Sequence, residues 1–124
     1  MRLNPDCMRA VLLTVESSDF GKSIDQNYIY NQLDDEYSHE DILYSLIKLK
    51  EAGFINGRVK SYDNWKNTVV FITDITYEGH QFLSNIRSNT IWEKVKEKLT
   101  DKSIDSALSL SKAILSIIVT NQFS

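Results

Sequence analysis

The apolar period of this chain changes twice, and that order of periods constrains the fold more than any single motif. Up to Gly53 the apolar residues recur at helical spacing. From Phe54 to Ile75 they alternate or cluster as in strands, and after Thr76 the helical spacing returns. Asn4 is a good N-cap with Pro5 at the first helical position, and Met8, Val11, Leu12 and Val15 follow on one face. "ESSDFGKS" ends this helix. A second, short helix is expected over Ile24–Asp34, with Ile29 and Leu33 inward. "DDEYS" turns the chain. Ser38 then caps a third helix, with Asp41 at the capping-box position and Gly53 as the C-terminal stop. Its inner face holds Ile42, Leu43, Leu46, Ile47 and Leu49, which leaves Asp41, Tyr44, Ser45 and Lys48 facing outward.

"FINGRVKSY" and "TVVFITDI" read as two strands joined by the polar turn "DNWKN", a β-hairpin. Thr76 caps a further helix, "YEGHQFLSNIR", in which Gly79 implies close packing against a neighbour and Phe82, Leu83 and Ile86 face inward. Thr90 with Glu93 forms a second capping box before "IWEKVKEKL", and "SIDSALSLSKAILSIIVTNQF" makes a last helix. Three helices, a hairpin, then helices is the element order of a winged helix-turn-helix. The expected fold is therefore α+β: a winged helix-turn-helix of three helices and a β-hairpin wing over residues 1–88, with additional C-terminal helices over 89–124. The length of 124 residues suits this without staples.

Composition excludes several classes. Cys7 is the one cysteine, so no disulfide framework or cysteine metal site forms within one chain, and its place on an apolar helix face marks a structural thiol. The two histidines, His39 and His80, are too few for most metal or triad arrangements. The acidic pairs Asp34–Asp35 and Glu40–Asp41 lack calcium-loop spacing, and the four glycines form no phosphate-binding loop. No enzyme activity, metal or cofactor is expected. The start of the chain lacks the apolar core of a signal peptide, and the longest apolar run, "AILSIIV", falls far short of the roughly 20 residues of a membrane span. A cytoplasmic protein is expected, with no membrane partner.

"LKEAGFI" and "ITYEGHQFL" resemble the end of the reading helix and the wing exit of bacterial winged-helix proteins. "MRLNPDCMRAVLL", "YSHEDILYSLIKLKEAGFI" and "ITYEGHQFLSNIRSNTIWEKVKEKL" together resemble a family of small proteins of Gram-positive bacteria and their phages, catalogued as domain of unknown function twenty-five thirteen. The resemblance covers most of the chain and is weakest after Lys102. It implies a winged-helix fold and a mobile-element setting, and it carries over no reaction, ligand or functional residue.

In a winged helix the third helix enters the major groove and the wing lies along the backbone or minor groove. Double-stranded DNA is thus the expected partner, with Tyr44, Ser45 and Lys48 of the helix and Arg58, Lys60 and Lys66 of the wing as contacts, and Tyr62 and Trp65 near the wing cations. Charge weighs against the helix. Residues 23–57 hold seven carboxylates against two lysines, whereas 58–66 carry three cations and one acid. DNA affinity comes largely from phosphate neutralisation, so the wing is the better equipped. The competing expectation is a protein-interaction module with the same fold and no DNA contact. The apolar C-terminal helix, with Leu108, Leu115 and Ile118, is expected to form a homodimer.

Overall fold

The computed structural model describes residues 3–61 and 67–99. The Tyr62, Trp65 and Lys66 expectations, and the dimer contacts at Leu108, Leu115 and Ile118, lie outside these residues. Over the described residues the fold is α+β, with five helices and a small three-stranded antiparallel sheet in the order α1 β1 α2 α3 β2 β3 α4 α5.

Helix α1 (Pro5–Glu16) starts as its sequence requires: the Asn4 side chain accepts the Cys7 N–H at 3.2 Å. Its apolar stripe of Cys7, Met8, Val11, Leu12 and Val15 is buried. The second helix is shorter than expected. Ile24 and Asp25 form a strand, β1, and α2 covers Gln26–Leu33. The reason is local. The Asp25 carboxylate accepts from the Asn27 and Tyr28 amides at 3.0 and 3.3 Å, an N-cap that holds its own residue extended. Extended Ile24 then pairs with Ile72. Where α2 has already turned away from the sheet, the buried Gln26 side chain continues the pairing: it donates to the Thr68 carbonyl at 3.2 Å and accepts from the Val70 amide at 3.0 Å.

Helix α3 (His39–Glu51) is capped by Ser38, whose hydroxyl accepts the Asp41 N–H at 3.1 Å. It ends at Gly53 in the left-handed conformation, φ +80°, with the Gly53 amide on the Lys50 carbonyl and the Phe54 amide on that of Leu49. Strands β2 (Ile55–Lys60) and β3 (Val69–Ile75) form the hairpin, and the sheet order β1-β3-β2 puts β3 in the middle.

Helix α4 (Tyr77–Ile86) is seated on the end of α3. The Thr76 hydroxyl accepts the Gly79 N–H at 3.0 Å and donates to the Gly53 carbonyl at 2.6 Å, while the Thr76 amide donates to that of Phe54 at 3.0 Å. Phe82 stacks on Phe54 with ring centroids 4.6 Å apart.

Helix α5 (Asn89–Leu99) begins one cap earlier than expected. Ser88, not Thr90, accepts the Ile91 amide, at 3.4 Å, so Thr90 lies inside the helix. Trp92 of α5 is buried in the same core as α1. Its indole N–H donates to Asp6 at 2.8 Å, and Lys96 pairs with Asp6 at 3.0 Å. Arg9 donates from Nε to the Ile86 carbonyl at 2.9 Å, and from Nη2 to the Arg87 carbonyl and the Asn89 side chain at 2.8 and 2.9 Å. Arg87 in turn grips both carboxylate oxygens of Glu16, which holds the Glu16 carboxyl below its usual range. No described helix is long and apolar enough to cross a membrane.

Gly79 tests how closely α4 sits. A Cβ there would collide with the Phe54 carbonyl oxygen and come within 2.6 Å of Ile75 Cγ2. Replacing a helical glycine by alanine ordinarily stabilises by about 1 kcal/mol. Here Gly79→Ala is expected to destabilise by ~1–3 kcal/mol, as overpacking does. Urea denaturation of the two proteins checks the sign.

Candidate nucleic-acid interface

Of the six residues expected at the interface, Lys66 lies outside the described residues, and Ser45 does not share a surface with the other four. On α3, Tyr44 and Lys48 stand one turn apart and meet. The Lys48 ammonium lies 5.3 Å from the centre of the Tyr44 ring and also pairs with Glu51 at 2.9 Å. Both side chains are half-buried. Ser45 is elsewhere. It is fully buried, against the expected outward position. The helical period explains this: Ser45 follows Ile42 by three residues and precedes Leu49 by four, which puts it on the inner stripe. Its hydroxyl lies beside the Cys7 thiol, a weak partner, and makes no conventional hydrogen bond. Burial pushes that thiol up to about 11 despite the Ser45 contact, which marks Cys7 as inert packing.

The start of α3 is tied back to α2. His39 Nε2 pairs with Asp34, and its ring stacks flat on Tyr30, centroids 3.9 Å apart and 3° from parallel. This three-residue clamp sets α3 against the end of α2. Around it stand exposed carboxylates: Asp34, Asp35, Glu36, Glu40 and, one end further along, Glu51. Glu40 and Asp41 in the first turn and Lys48 and Lys50 in the last suit the helix dipole, so part of this pattern serves α3 itself.

Strand β2 is different. Arg58 and Lys60 alternate with half-buried Val59 and are both exposed. They sit across from Phe71 and Val69 of β3, both half-buried. Neither cation makes a hydrogen bond or ion pair among the described residues, in contrast to Lys48, Arg9, Arg87 and Lys96.

A groove of about 190 Å³ lies at the Ile75 end of β3. Glu16, Asp19, Asp74 and His80 line it, and Phe20, fully exposed, forms part of its rim. Asp74 also accepts from Asn56 at 2.8 Å. Sequence reading passed over Phe20. A lone aromatic inside "ESSDFGKS" has no periodic neighbours, so nothing shows whether it is packed.

Comparison with known proteins adds a family and one relative. A family model described as "Hypothetical protein (DUF2513)" matches residues 2–105. An uncharacterized protein of Haemophilus influenzae is 26% identical over 123 residues, covering 97% of each chain. No solved structure matches.

The position of Ser45 generates a direct test. Ser45→Ala removes a buried hydroxyl without a good partner, so stability is expected to hold or rise by up to about 1 kcal/mol. A surface contact residue would instead show unchanged stability with weakened ligand binding. Denaturation and DNA titration of the same variant separate the two.

Proposed function

The chain belongs to the DUF2513 family, and we propose that it is a winged helix-turn-helix regulator that binds double-stranded DNA with its wing leading the contact. The element order supports the winged-helix reading: three helices, the third preceded by a short capped turn, and a hairpin paired with a two-residue strand before α2. The observation that carries the DNA reading is the pair of exposed cations on β2. Arg58 and Lys60 make no hydrogen bond or ion pair among the described residues, and a cation without a protein partner is one that phosphate can recruit at little cost. Lys66 joins them by sequence in the wing turn. On α3, Tyr44 and Lys48 remain candidates for secondary contacts. A homodimer through Leu108, Leu115 and Ile118 would present two wings and raise affinity by linkage.

A protein-interaction module is the second reading, and a specific observation favours it. Phe20 is fully exposed beside the groove, where a partner's apolar side chain could cover it. Under this reading the acidic α2–α3 surface is no handicap.

The test is a fluorescence titration of a labelled genomic-fragment pool at low salt, repeated as salt rises, with the triple variant Arg58/Lys60/Lys66→Ala alongside. Salt-sensitive binding by the native chain, lost in the folded variant, is the expected result. Absence of binding at low salt by a folded native chain sinks the DNA reading, and the Phe20 groove becomes the surface to pursue.

A further inference from the structure

The main donors on the outward side of α3 and at its cap, Ser38, His39 and Lys48, already serve the protein. The Ser38 hydroxyl caps the helix. The His39 imidazole is held by Asp34 and lies flat on Tyr30. Lys48 is paired with Glu51 and stands over the Tyr44 ring. Ser45 is buried. What that face exposes is carboxylate: Glu40 and Glu51, with Asp34, Asp35 and Glu36 of the preceding turn beside them. Reading bases in the major groove requires donors and acceptors free to meet base edges, chiefly an arginine or lysine on guanine and an amide on adenine. It also requires the helix to pass between two walls of phosphate, which carry one negative charge per roughly 1.7 Å of duplex. A face of committed donors and exposed carboxylates meets neither requirement.

The sheet face that carries the wing cations meets the other kind of contact. Arg58 and Lys60 are two residues apart on one strand, so they point the same way from backbone positions about 6.6 Å apart. Phosphates follow one another along a DNA strand at about 3.4 Å of rise, and two long side chains at this spacing reach neighbouring ones. The half-buried Phe71 and Val69 across from them give the cations an apolar bed rather than an acid to pair with. Resting on the DNA reading above, we propose that the chain engages duplex DNA as a polyanion, through phosphates on the outer face of β2, and binds it without preference for base sequence. Contacts of this type fix affinity and orientation and carry no sequence information.

The number of cations predicts the salt response. Two described wing cations, or three with Lys66, correspond to a slope of about −2 to −3 in log K against log salt concentration for each bound chain. The experiment combines two measurements on the intact chain. One is repeated selection from a library of randomised 20-base-pair duplexes at low salt. The other is the salt slope on a single duplex for the native chain and for Arg58→Ala/Lys60→Ala. Expected are retained duplexes with no enriched motif, together with a slope that loses about 2 in the double variant. Enrichment of a motif bound more than about tenfold tighter than the starting pool overturns sequence indifference while leaving DNA binding standing. A slope unchanged in a folded double variant overturns the β2 contact. No retained duplex at all sinks the DNA reading itself, and this inference with it.

Discussion

Helix α1 is buried along one side and held by polar partners along the other, and the other placements follow from this constraint. Cys7, Met8, Val11, Leu12 and Val15 form an apolar stripe against which α2, α3, β3 and α4 pack. The opposite side is polar, yet it is not simply solvated. Asp6 holds the Trp92 indole and Lys96, Arg9 caps the end of α4, and Glu16 takes both branches of Arg87. Exposed pairs of this kind contribute little singly. Here they are joined to a buried tryptophan, so they fix where α5 lies rather than how stable the fold is. With α1 satisfied on both sides, α3 and the hairpin are left at the surface, and they are the parts able to meet a ligand.

Those two parts differ in electrostatics. The carboxylates of α2 and α3 cap helices, suit dipoles and hold His39, and the α3 cation nearest the candidate surface is paired within its own helix. Among the described residues, the β2 cations have no such duties. In water an exposed pair is worth less than about 1 kcal/mol, so Lys48 could in principle leave Glu51 for a phosphate. It would leave behind an acid facing the same phosphate. Arg58 and Lys60 make no pair with an acid among the described residues, and this difference, rather than net charge, separates the wing from the helix.

Much of the fold was legible because it rests on local chemistry that short motifs carry. Asn4–Pro5, Ser38 and Thr76 are caps, Gly53 is a helix stop, and Gly79 sits where only a hydrogen fits. Three elements were misread for identifiable reasons. A two-residue strand is too short to show alternation, so Ile24 and Asp25 passed for the start of α2. Ser88 and Thr90 are both competent caps, and the choice between them depends on Arg9 and Trp92 reaching across from another part of the chain. Ser45 was assigned by polarity when its spacing from Ile42 and Leu49 assigns it inward. Arg58 and Lys60 were visible as residues, but that they make no pair among the described residues was not, since pairing is a property of three-dimensional neighbours.

The central proposal is that strand β2, rather than α3, leads the contact with DNA. Amide chemical-shift mapping of the isotope-labelled protein with a short duplex at low salt tests it most directly, because β2 and α3 lie on separate stretches of backbone. The account predicts that the largest changes fall on Arg58 to Lys60 and the facing residues Val69 to Phe71, with His39 to Lys48 little affected. Dominant changes along α3, with β2 silent, would contradict it.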